Sequence, residues 1–213
     1  MKITIIYDNC TVKEGLKTGF GFSSLIETEK APPLLFDAGA DGATLLHNMK
    51  QLGIEPGRIG TVVISHHHYD HTGGLSAILE KNKHTVIYAP ASTVVKLPGR
   101  KTFPVNQSVQ ILETVFSTGE LQAIEQSLAV KTGRGIVVVT GCSHPGVGLI
   151  LDAASRHGEV YGIIGGLHGF RDFSRLDGLC LICPCHCTRY KSELKELFPG
   201  QYTACGVGLE LEM

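Results

Sequence analysis

The chain has 213 residues, 43% of them hydrophobic and 18% charged, which fits one domain, residues 1–213, with a substantial core. Nineteen lysines and arginines balance 20 aspartates and glutamates, which argues against nucleic acid as a partner, since phosphate neutralisation needs a basic face. The N-terminus begins as a strand and reaches Asp8 too early for a signal peptide, and no apolar run approaches the ~20 residues that span a bilayer. We therefore expect a soluble, cytoplasmic protein with no membrane partner.

Short β-branched runs alternate with helical patterns along the chain. The predicted strands are Lys2–Tyr7, Pro33–Phe36, Thr61–Ser65, Thr85–Ala89, Arg134–Thr140, Glu159–Ile164, Leu179–Cys183 and, as a weaker alternation, Thr203–Glu212. The predicted helices are Ala43–Leu52, Gly74–Lys81, Gly146–Arg156 and Arg189–Phe198. The segment Pro90–Thr132 is less regular and is expected to carry short strands and loops. This mixture of strands and helices predicts an α/β or α+β layered domain.

A dense group of potential metal ligands follows the strand Thr61–Ser65. The chain continues there as His66-His67-His68-Tyr69-Asp70-His71-Thr72-Gly73-Gly74. In an extended segment His66 and His68 face the same side and can hold one metal through neutral imidazoles. Asp70 and His71 come after a turn and can face a second metal. His67 lies out of register and is not expected to bind metal.

Residues Ser65–Gly74 resemble the metal-binding signature of the metallo-β-lactamase superfamily. The resemblance implies a four-layer αββα sandwich with the metal site at the sheet edge. It implies that Asp37 supports the ligand loop without itself binding metal. It further implies that His144 completes the first metal site and that His186 binds the second metal.

Further motifs resemble one branch of the superfamily, the branch named for 7,8-dihydropterin-6-methyl-4-(β-D-ribofuranosyl)aminobenzene 5'-phosphate synthase. They are Gly21-Phe22-Ser23, His68-Tyr69-Asp70-His71-Thr72-Gly73-Gly74-Leu75, Glu125-Gln126-Ser127-Leu128, Gly141-Cys142-Ser143-His144, Gly165-Gly166-Leu167-His168 and His186-Cys187-Thr188. In this branch an Asp-Asn pair after the first strand looks like part of the pocket. Asn9 could therefore contact substrate or support a ligand, or it could simply form a turn, which Asn favours. Ser23 has a similar functional interpretation.

The sequence departs from the superfamily pattern at the strand Glu159–Ile164. Most superfamily hydrolases place a bridging Asp after this strand, whereas here the strand leads into Gly165-Gly166-Leu167-His168. A histidine cannot bridge two metals as a carboxylate does. We expect His168 to bind one metal, preferably the second, as a terminal ligand. The alternatives are that His168 lines the pocket as a proton donor or substrate contact, or that Asp172 is the ligand.

These residues predict a metal-dependent hydrolase acting on a small anionic substrate such as a phosphoester. Two divalent metal ions ~3.5–4 Å apart lower the pKa of a shared water and clamp the reacting oxygens. Zn is the default expectation, with Mn or Fe as alternatives. Asp70 would bind metal and orient the water, while His168 could protonate the leaving group if it is not a ligand.

Other functions stay open at the sequence level. The dihydropterin-pathway synthase itself and a non-catalytic metal- or redox-binding protein are the main alternatives. A nuclease is disfavoured by the net charge, although the basic segment Lys96–Lys101 could form a local patch. The sequence also leaves open whether the protein forms a homo-oligomer.

The seven cysteines are expected to be reduced thiols, metal ligands or small buried side chains in preference to a disulfide framework. Four of them crowd into Cys180–Cys187, where a thiolate site for Zn or an iron–sulfur cluster is one interpretation. The buried strand Leu179–Cys183 favours packing instead. Cys142 could be the nucleophile of a Cys–His pair, an interpretation disfavoured by the ligands that converge elsewhere.

Overall fold

The computed structural model describes residues 1–93 and 101–213, so residues 96–100 of the basic segment Lys96–Lys101 lie outside the described part. The strands are β1 (Lys2–Tyr7), β2 (Ser23–Glu27), β3 (Leu34–Phe36), β4 (Thr61–Val63), β5 (Val86–Pro90), β6 (Thr102–Val105), β7 (Val109–Leu112), β8 (Val115–Ser117), β9 (Leu128–Thr132), β10 (Gly135–Thr140), β11 (Val160–Gly166), β12 (Leu181–Cys185) and β13 (Glu210–Glu212). The α-helices are α1 (Gly42–Gln51), α2 (Tyr69–Thr72), α3 (Leu75–Lys81), α4 (Val147–Ala154) and α5 (Lys191–Leu197). Within these residues no helix is long and apolar enough to cross a bilayer.

The described strands form two mixed sheets. The first has the order β13-β1-β2-β3-β4-β5-β6, and the second has the order β12-β11-β10-β9-β8-β7. Strands β3 to β6 are parallel, and so are β10, β11 and β12. Antiparallel pairing of β1 with β2 and of β2 with β3 makes β1 run in the same direction as β3. The carboxyl ends of β1, β3 and β4 therefore meet at one edge of the first sheet.

Alternating side chains on each strand place the core on both faces of both sheets. On β3, Leu34 and Phe36 enter the core between the sheets, whereas Leu35 packs under α1 and α3. On β10, Val137 and Val139 enter the same central core, whereas Ile136 and Val138 pack under α4 and α5. Apolar layers thus lie under α1 and α3, between the two sheets, and under α4 and α5. They separate two layers of helices and two sheets, so the predicted αββα sandwich is confirmed.

The predicted elements agree with the structure best where the apolar pattern is long. Helix α1 and strand β1 match their predicted positions to within a residue. The last strand of the second sheet begins two residues later than predicted, at Leu181, and only Glu210–Glu212 of the predicted terminal strand pairs in the sheet. Strand β2 was not predicted. Its sequence, Ser-Ser-Leu-Ile-Glu, alternates too little to be distinguished from a loop.

The cysteines differ in part from the prediction. Cys185 and Cys205 form a disulfide, so these two are neither reduced thiols nor metal ligands. Both lie with Cys183 in the core between the sheets, because residues two apart on β12 face the same side. Cys180 precedes the strand and is exposed. Packing is therefore the arrangement found for the buried members of the Cys180–Cys187 cluster on β12.

Candidate metal centre

Potential metal ligands converge where the strand ends meet. His66 and His68 follow β4, and Asp70 and His71 lie on the short helix α2. The second sheet contributes His144 after β10 and His186 after β12. His66, Asp70, His71 and His186 are buried, His144 is half-buried, and His68 and His67 are exposed. Two sheets facing each other thus bring together six side chains from three separate stretches of chain.

The six side chains form two triads. The donor atoms of His66, His68 and His144 lie within 4.8 Å of one another, and so do those of Asp70, His71 and His186. We call these groups the first and second triad. The ring centroids of His66, in the first triad, and His71, in the second, are 4.2 Å apart, so the triads are adjacent.

The spacing within each triad fits a common metal ion. His66 Nε2 lies 3.0 Å from His68 Nδ1, and His186 Nε2 lies 3.0 Å from Asp70 Oδ2. The Oδ2 atom of Asp70 is 3.6 Å from His71 Nε2. Ligand atoms on one tetrahedral zinc ion are separated by about 3.3–3.4 Å, given bonds of about 2.0–2.1 Å, so the observed separations of 3.0 and 3.6 Å lie on either side of this value. The residues present therefore fit divalent metal ions with nitrogen and oxygen donors.

Asp37 supports the loop that carries His66 and His71 through hydrogen bonds, without belonging to either triad. Its Oδ2 is 2.7 Å from His71 Nδ1, and its two oxygens accept from the backbone N–H and the hydroxyl of Ser65 at 2.7 Å each. Ser65 Oγ in turn lies 2.8 Å from His66 Nδ1. With Nδ1 engaged in this way, Nε2 of each histidine is left for a metal. Ser23 donates to the Asp37 carbonyl oxygen at 2.8 Å, so it acts on the loop through Asp37.

Glu125 does the same for the loop that carries His144. The carboxylate is buried and accepts from the backbone N–H groups of Cys142, Ser143 and His144 at 2.9, 3.0 and 3.1 Å. Its Oε2 is also 2.9 Å from His144 Nδ1. Burial opposes ionisation, but these hydrogen bonds and the adjacent imidazoles lower the pKa of Glu125 to about 2. The anion is therefore present throughout the neutral range.

His186 is held by residues that follow β1. Asn9 Oδ1 lies 2.9 Å from His186 Nδ1, and Asn9 Nδ2 donates to the His186 carbonyl oxygen at 3.3 Å. The His186 backbone N–H donates to Asp8 Oδ2 at 2.7 Å. Asn9 thus contacts a candidate ligand directly, whereas its role toward a substrate stays a prediction.

Burial keeps two of the candidate ligands in the neutral form that binds metals. Desolvation, followed by the nearby imidazole of His71, lowers the pKa of His66 to about 2 and that of His186 to about 4. His71 behaves differently: desolvation lowers its pKa, but the charge of Asp37, the hydrogen bond to Asp37 and the charges of Asp70 and Glu125 together raise it. The hydrogen bond to Glu125 likewise raises the pKa of His144.

Uncommon backbone conformations are concentrated at this centre. Six described residues other than glycine have positive φ, and four of them belong to the ligand loops or their supports. These four are Asp37 (58°), Ser143 (61°), His168 (46°) and His186 (43°). Such conformations cost free energy and persist where surrounding contacts hold them, as at functional sites.

His168 lies beside the first triad. Its ring centroid is 5.2 Å from that of His144, its side chain is exposed, and its donor atoms belong to neither triad. It lines a cavity of about 330 Å³ together with His144, Val147, Leu167 and Phe170. Asp172 is exposed as well. The predicted terminal ligation by His168 and the alternative ligand Asp172 both stay predictions.

Glu125 and Asp8 were not selected as site residues from the sequence. Glu125, Gln126 and Ser127 are three successive, fully buried polar residues within a segment that shows no regular pattern. Asp8 stands at the end of β1, where a turn is an equally good explanation. The hydrogen bonds that give both residues a role join separate segments of the chain, so periodicity does not reveal them, although Glu125 lies in one of the motifs that carry the family resemblance.

Comparison with known proteins identifies the family. Residues 16–162 match the family model described as the metallo-beta-lactamase superfamily, and the chain belongs to this superfamily. It is 27% identical to the 7,8-dihydropterin-6-methyl-4-(beta-D-ribofuranosyl)-aminobenzene-5'-phosphate synthase of Methanocaldococcus jannaschii, over 81% of this chain and 82% of that protein. It is 25% identical to the protein MJ0448 of the same organism, over 91% and 93% of the two chains.

A solved structure is similar over the whole chain. The crystal structure of Tm1679, described as a metal-dependent hydrolase of the beta-lactamase superfamily, matches with a TM-score of 0.80 and 25% identity. The match covers 100% of this chain and 99% of Tm1679. The metallo-β-lactamase fold and the sequence relationship therefore agree.

Proposed function

We propose that this protein is a dinuclear metal-dependent hydrolase that cleaves a small anionic substrate such as a phosphoester, with zinc as the expected metal. The observation that carries the proposal is the pair of adjacent triads, each with three donor atoms that fit one ion. Divalent cations held in this way lower the pKa of water and polarise phosphoryl or carbonyl oxygens. The six triad residues would hold the cations.

The chain's own groups would orient the reaction. Asp70 belongs to the second triad, and its carboxylate would both bind the cation and accept a proton from the attacking water. His168 lines the cavity next to the first triad, where it would donate a proton to the leaving group. In this assignment His168 contacts the substrate, which is the second of the two roles that the sequence leaves open.

Charged and apolar groups near the centre suggest the character of the substrate. Arg171 and Arg189 are exposed and both lie over the ring of Tyr190, at 4.5 and 5.7 Å from its centroid. The Arg189 backbone N–H donates to the His168 carbonyl oxygen at 2.9 Å, which ties this pair to the cavity loop. Guanidinium groups suit phosphate oxygens. Phe20 is 58% exposed and packs against the His186 ring, so an apolar part of the substrate would find a partner there.

The test begins with metal content. Purified protein is analysed by plasma mass spectrometry and assayed against phosphodiesters, phosphomonoesters and lactones. We expect about two metal ions per chain, as in other two-metal hydrolases, and turnover that chelation removes. His68→Ala should lose metal from the first triad and lose turnover, whereas His67→Ala should retain both, since His67 is exposed and belongs to neither triad. Unaltered turnover in His68→Ala would overturn the proposal.

The pterin-pathway synthase is a second candidate function. The full-length similarity to the Methanocaldococcus jannaschii protein of that name favours it. The same triads would serve. Formation of the compound in that protein's name, with no hydrolysis of simple phosphoesters, would favour this candidate over the first.

A further inference from the structure

We propose that Cys142 is a metal ligand at the junction of the two triads, which gives the centre a sulfur donor in addition to nitrogen and oxygen. This inference rests on the metal centre proposed above and specifies its donor set. On binding, the thiol would release its proton to solvent, and the thiolate sulfur would bind the ion directly.

The position of the sulfur carries the inference. Cys142 is 4% exposed, and its Sγ lies 3.2 Å from His71 Nε2. This is the ring nitrogen of His71 left for a metal, because Nδ1 is held by Asp37. A sulfur and a nitrogen on one tetrahedral zinc ion are about 3.5 Å apart, given bonds of about 2.3 and 2.0–2.1 Å. The observed separation is close to that of two ligands of one ion.

The sulfur is close to both triads. Its Sγ lies within 4.8 Å of a ring nitrogen of His66, from the first triad, and of His71, from the second. A second group joins Cys142 with His186 and Cys187. Cys142 is therefore a sulfur donor with ring nitrogens of both triads within 4.8 Å, and Cys187 is a second sulfur beside His186.

The backbone holds Cys142 in this place. Its N–H donates to Glu125 Oε1 at 2.9 Å, and Glu125 also holds His144. One buried carboxylate thus positions both the thiol and a ligand of the first triad. Such support is typical of residues that bind metals.

The end of β11 offers no competing side chain at this point. A Cβ at Gly165 would lie 2.0 Å from the Thr140 carbonyl oxygen, and one at Gly166 would lie 2.5 Å from the Gly141 carbonyl oxygen. The same Gly166 Cβ would lie 2.6 Å from Cys187 Sγ. Backbone and sulfur occupy the space that a carboxylate at either position would need. The thiol of Cys142 accordingly meets no competition from a side chain at Gly165 or Gly166 for its place between the triads.

A thiolate changes which metal the centre prefers. Soft sulfur ligands favour zinc and iron over manganese or magnesium, which prefer oxygen. The proposal therefore predicts that the metal content of the purified protein is not manganese. It also gives the centre a spectroscopic signature that an all-nitrogen-and-oxygen site lacks.

The test uses the complete protein loaded with cobalt(II), whose bond to thiolate sulfur gives a charge-transfer absorption in the near ultraviolet. We expect this absorption in the parent and its loss in Cys142→Ser. Cys180→Ser is the matched control, because Cys180 is an exposed free cysteine, and it should keep the absorption. Retention of the absorption in Cys142→Ser, including the case in which only Cys187→Ser removes it, would overturn the inference.

A second measurement needs no variant, so it stays decisive if Cys142→Ser fails to fold. X-ray absorption of the zinc-loaded parent should show a sulfur neighbour at ~2.3 Å beside nitrogen and oxygen at ~2.0–2.1 Å. Bound zinc with no sulfur neighbour would overturn the role of Cys142 and leave the metal-dependent hydrolase standing. A parent that binds neither zinc nor cobalt would overturn both proposals.

Discussion

Glu125 contacts His144 twice: its Oε2 lies 2.9 Å from the ring Nδ1 and accepts from the backbone N–H at 3.1 Å. The other oxygen, Oε1, accepts from the N–H groups of Cys142 and Ser143. One buried carboxylate therefore fixes the ring orientation of a candidate ligand and the backbone that presents it.

Glu125→Gln should weaken metal binding without removing a ligand. The glutamine keeps the shape of the side chain, but an NH2 donor replaces one of the two acceptor oxygens. Four N–H groups donate to these oxygens in the parent, so some of them lose their acceptor. Loss of such a supporting contact typically costs 10–100-fold in metal affinity. Competitive titration with a chromophoric chelator measures this affinity. Glu80→Gln, at an exposed position on α3, should leave it unchanged; equal affinities in both variants would contradict the assigned role.

Metal affinity should rise with pH above the ordinary histidine range. The pKa values of His71 and His144 are raised from 6.5, so a proton must leave each of them before metal binds. In the metal-free protein each such group contributes stability that is fully present below pH 6.5 and is lost as pH rises through the raised pKa. Calorimetry in buffers of different ionisation enthalpy should detect proton release at neutral pH. In Glu125→Gln the share of the released protons that comes from His144 should be smaller, because the hydrogen bond that raises its pKa is lost. No proton release in the parent would contradict the raised pKa values.

His168→Ala distinguishes a ligand from a substrate contact. If His168 acts on the leaving group from the cavity, the variant should keep the metal content of the parent and lose about 10²–10⁴-fold in turnover, the usual contribution of a general acid. Plasma mass spectrometry and initial-rate kinetics on the same preparations give both values. A variant with half the metal of the parent would instead support the terminal ligation predicted from the sequence.

Gly166→Ala should destabilise the protein. The new Cβ would lie 2.5 Å from a carbonyl oxygen and 2.6 Å from Cys187 Sγ, so the backbone must shift. Overpacking of this kind costs about 1–3 kcal/mol in the free energy of unfolding. Gly169→Ala is the matched control, since a Cβ there meets no atom within 4 Å. Urea denaturation of both variants measures the difference, and similar midpoints would argue against the close approach at Gly166.

The local part of the centre was predictable, because His66, His68, Asp70 and His71 lie within six positions of one another. The supporting residues Asp8 and Glu125 were not. Asp8 and His186 are separated by 178 positions, and their contact exists only because β1 and β12 end at the same edge of the molecule. The family resemblance supplied His144, His186 and Asp37, which periodicity alone could not have connected with the histidine cluster.

Strand β12 shows most clearly that the apolar pattern does not predict where a strand begins and ends. The short run Leu179–Cys183 has apolar residues at nearly every position, so its alternation does not fix where pairing begins. The strand starts at Leu181 and places Cys183 and Cys185 on one face. The disulfide partner Cys205 comes from a segment that the sequence presented as a strand and the structure leaves mostly irregular.

The wide separation of the triad residues also bears on how the centre forms during folding. His186 and Asp70, which lie 3.0 Å apart, are separated by 116 positions in the chain. Closing a loop of that length is slow and entropically costly, and the gain comes only when both sheets have docked. In the unfolded chain the cluster of His66, His68, Asp70 and His71 can capture a cation alone, without the partners that complete either triad. An ion acquired at that stage would be held loosely, and tight binding would come only when His144 and His186 complete the two triads.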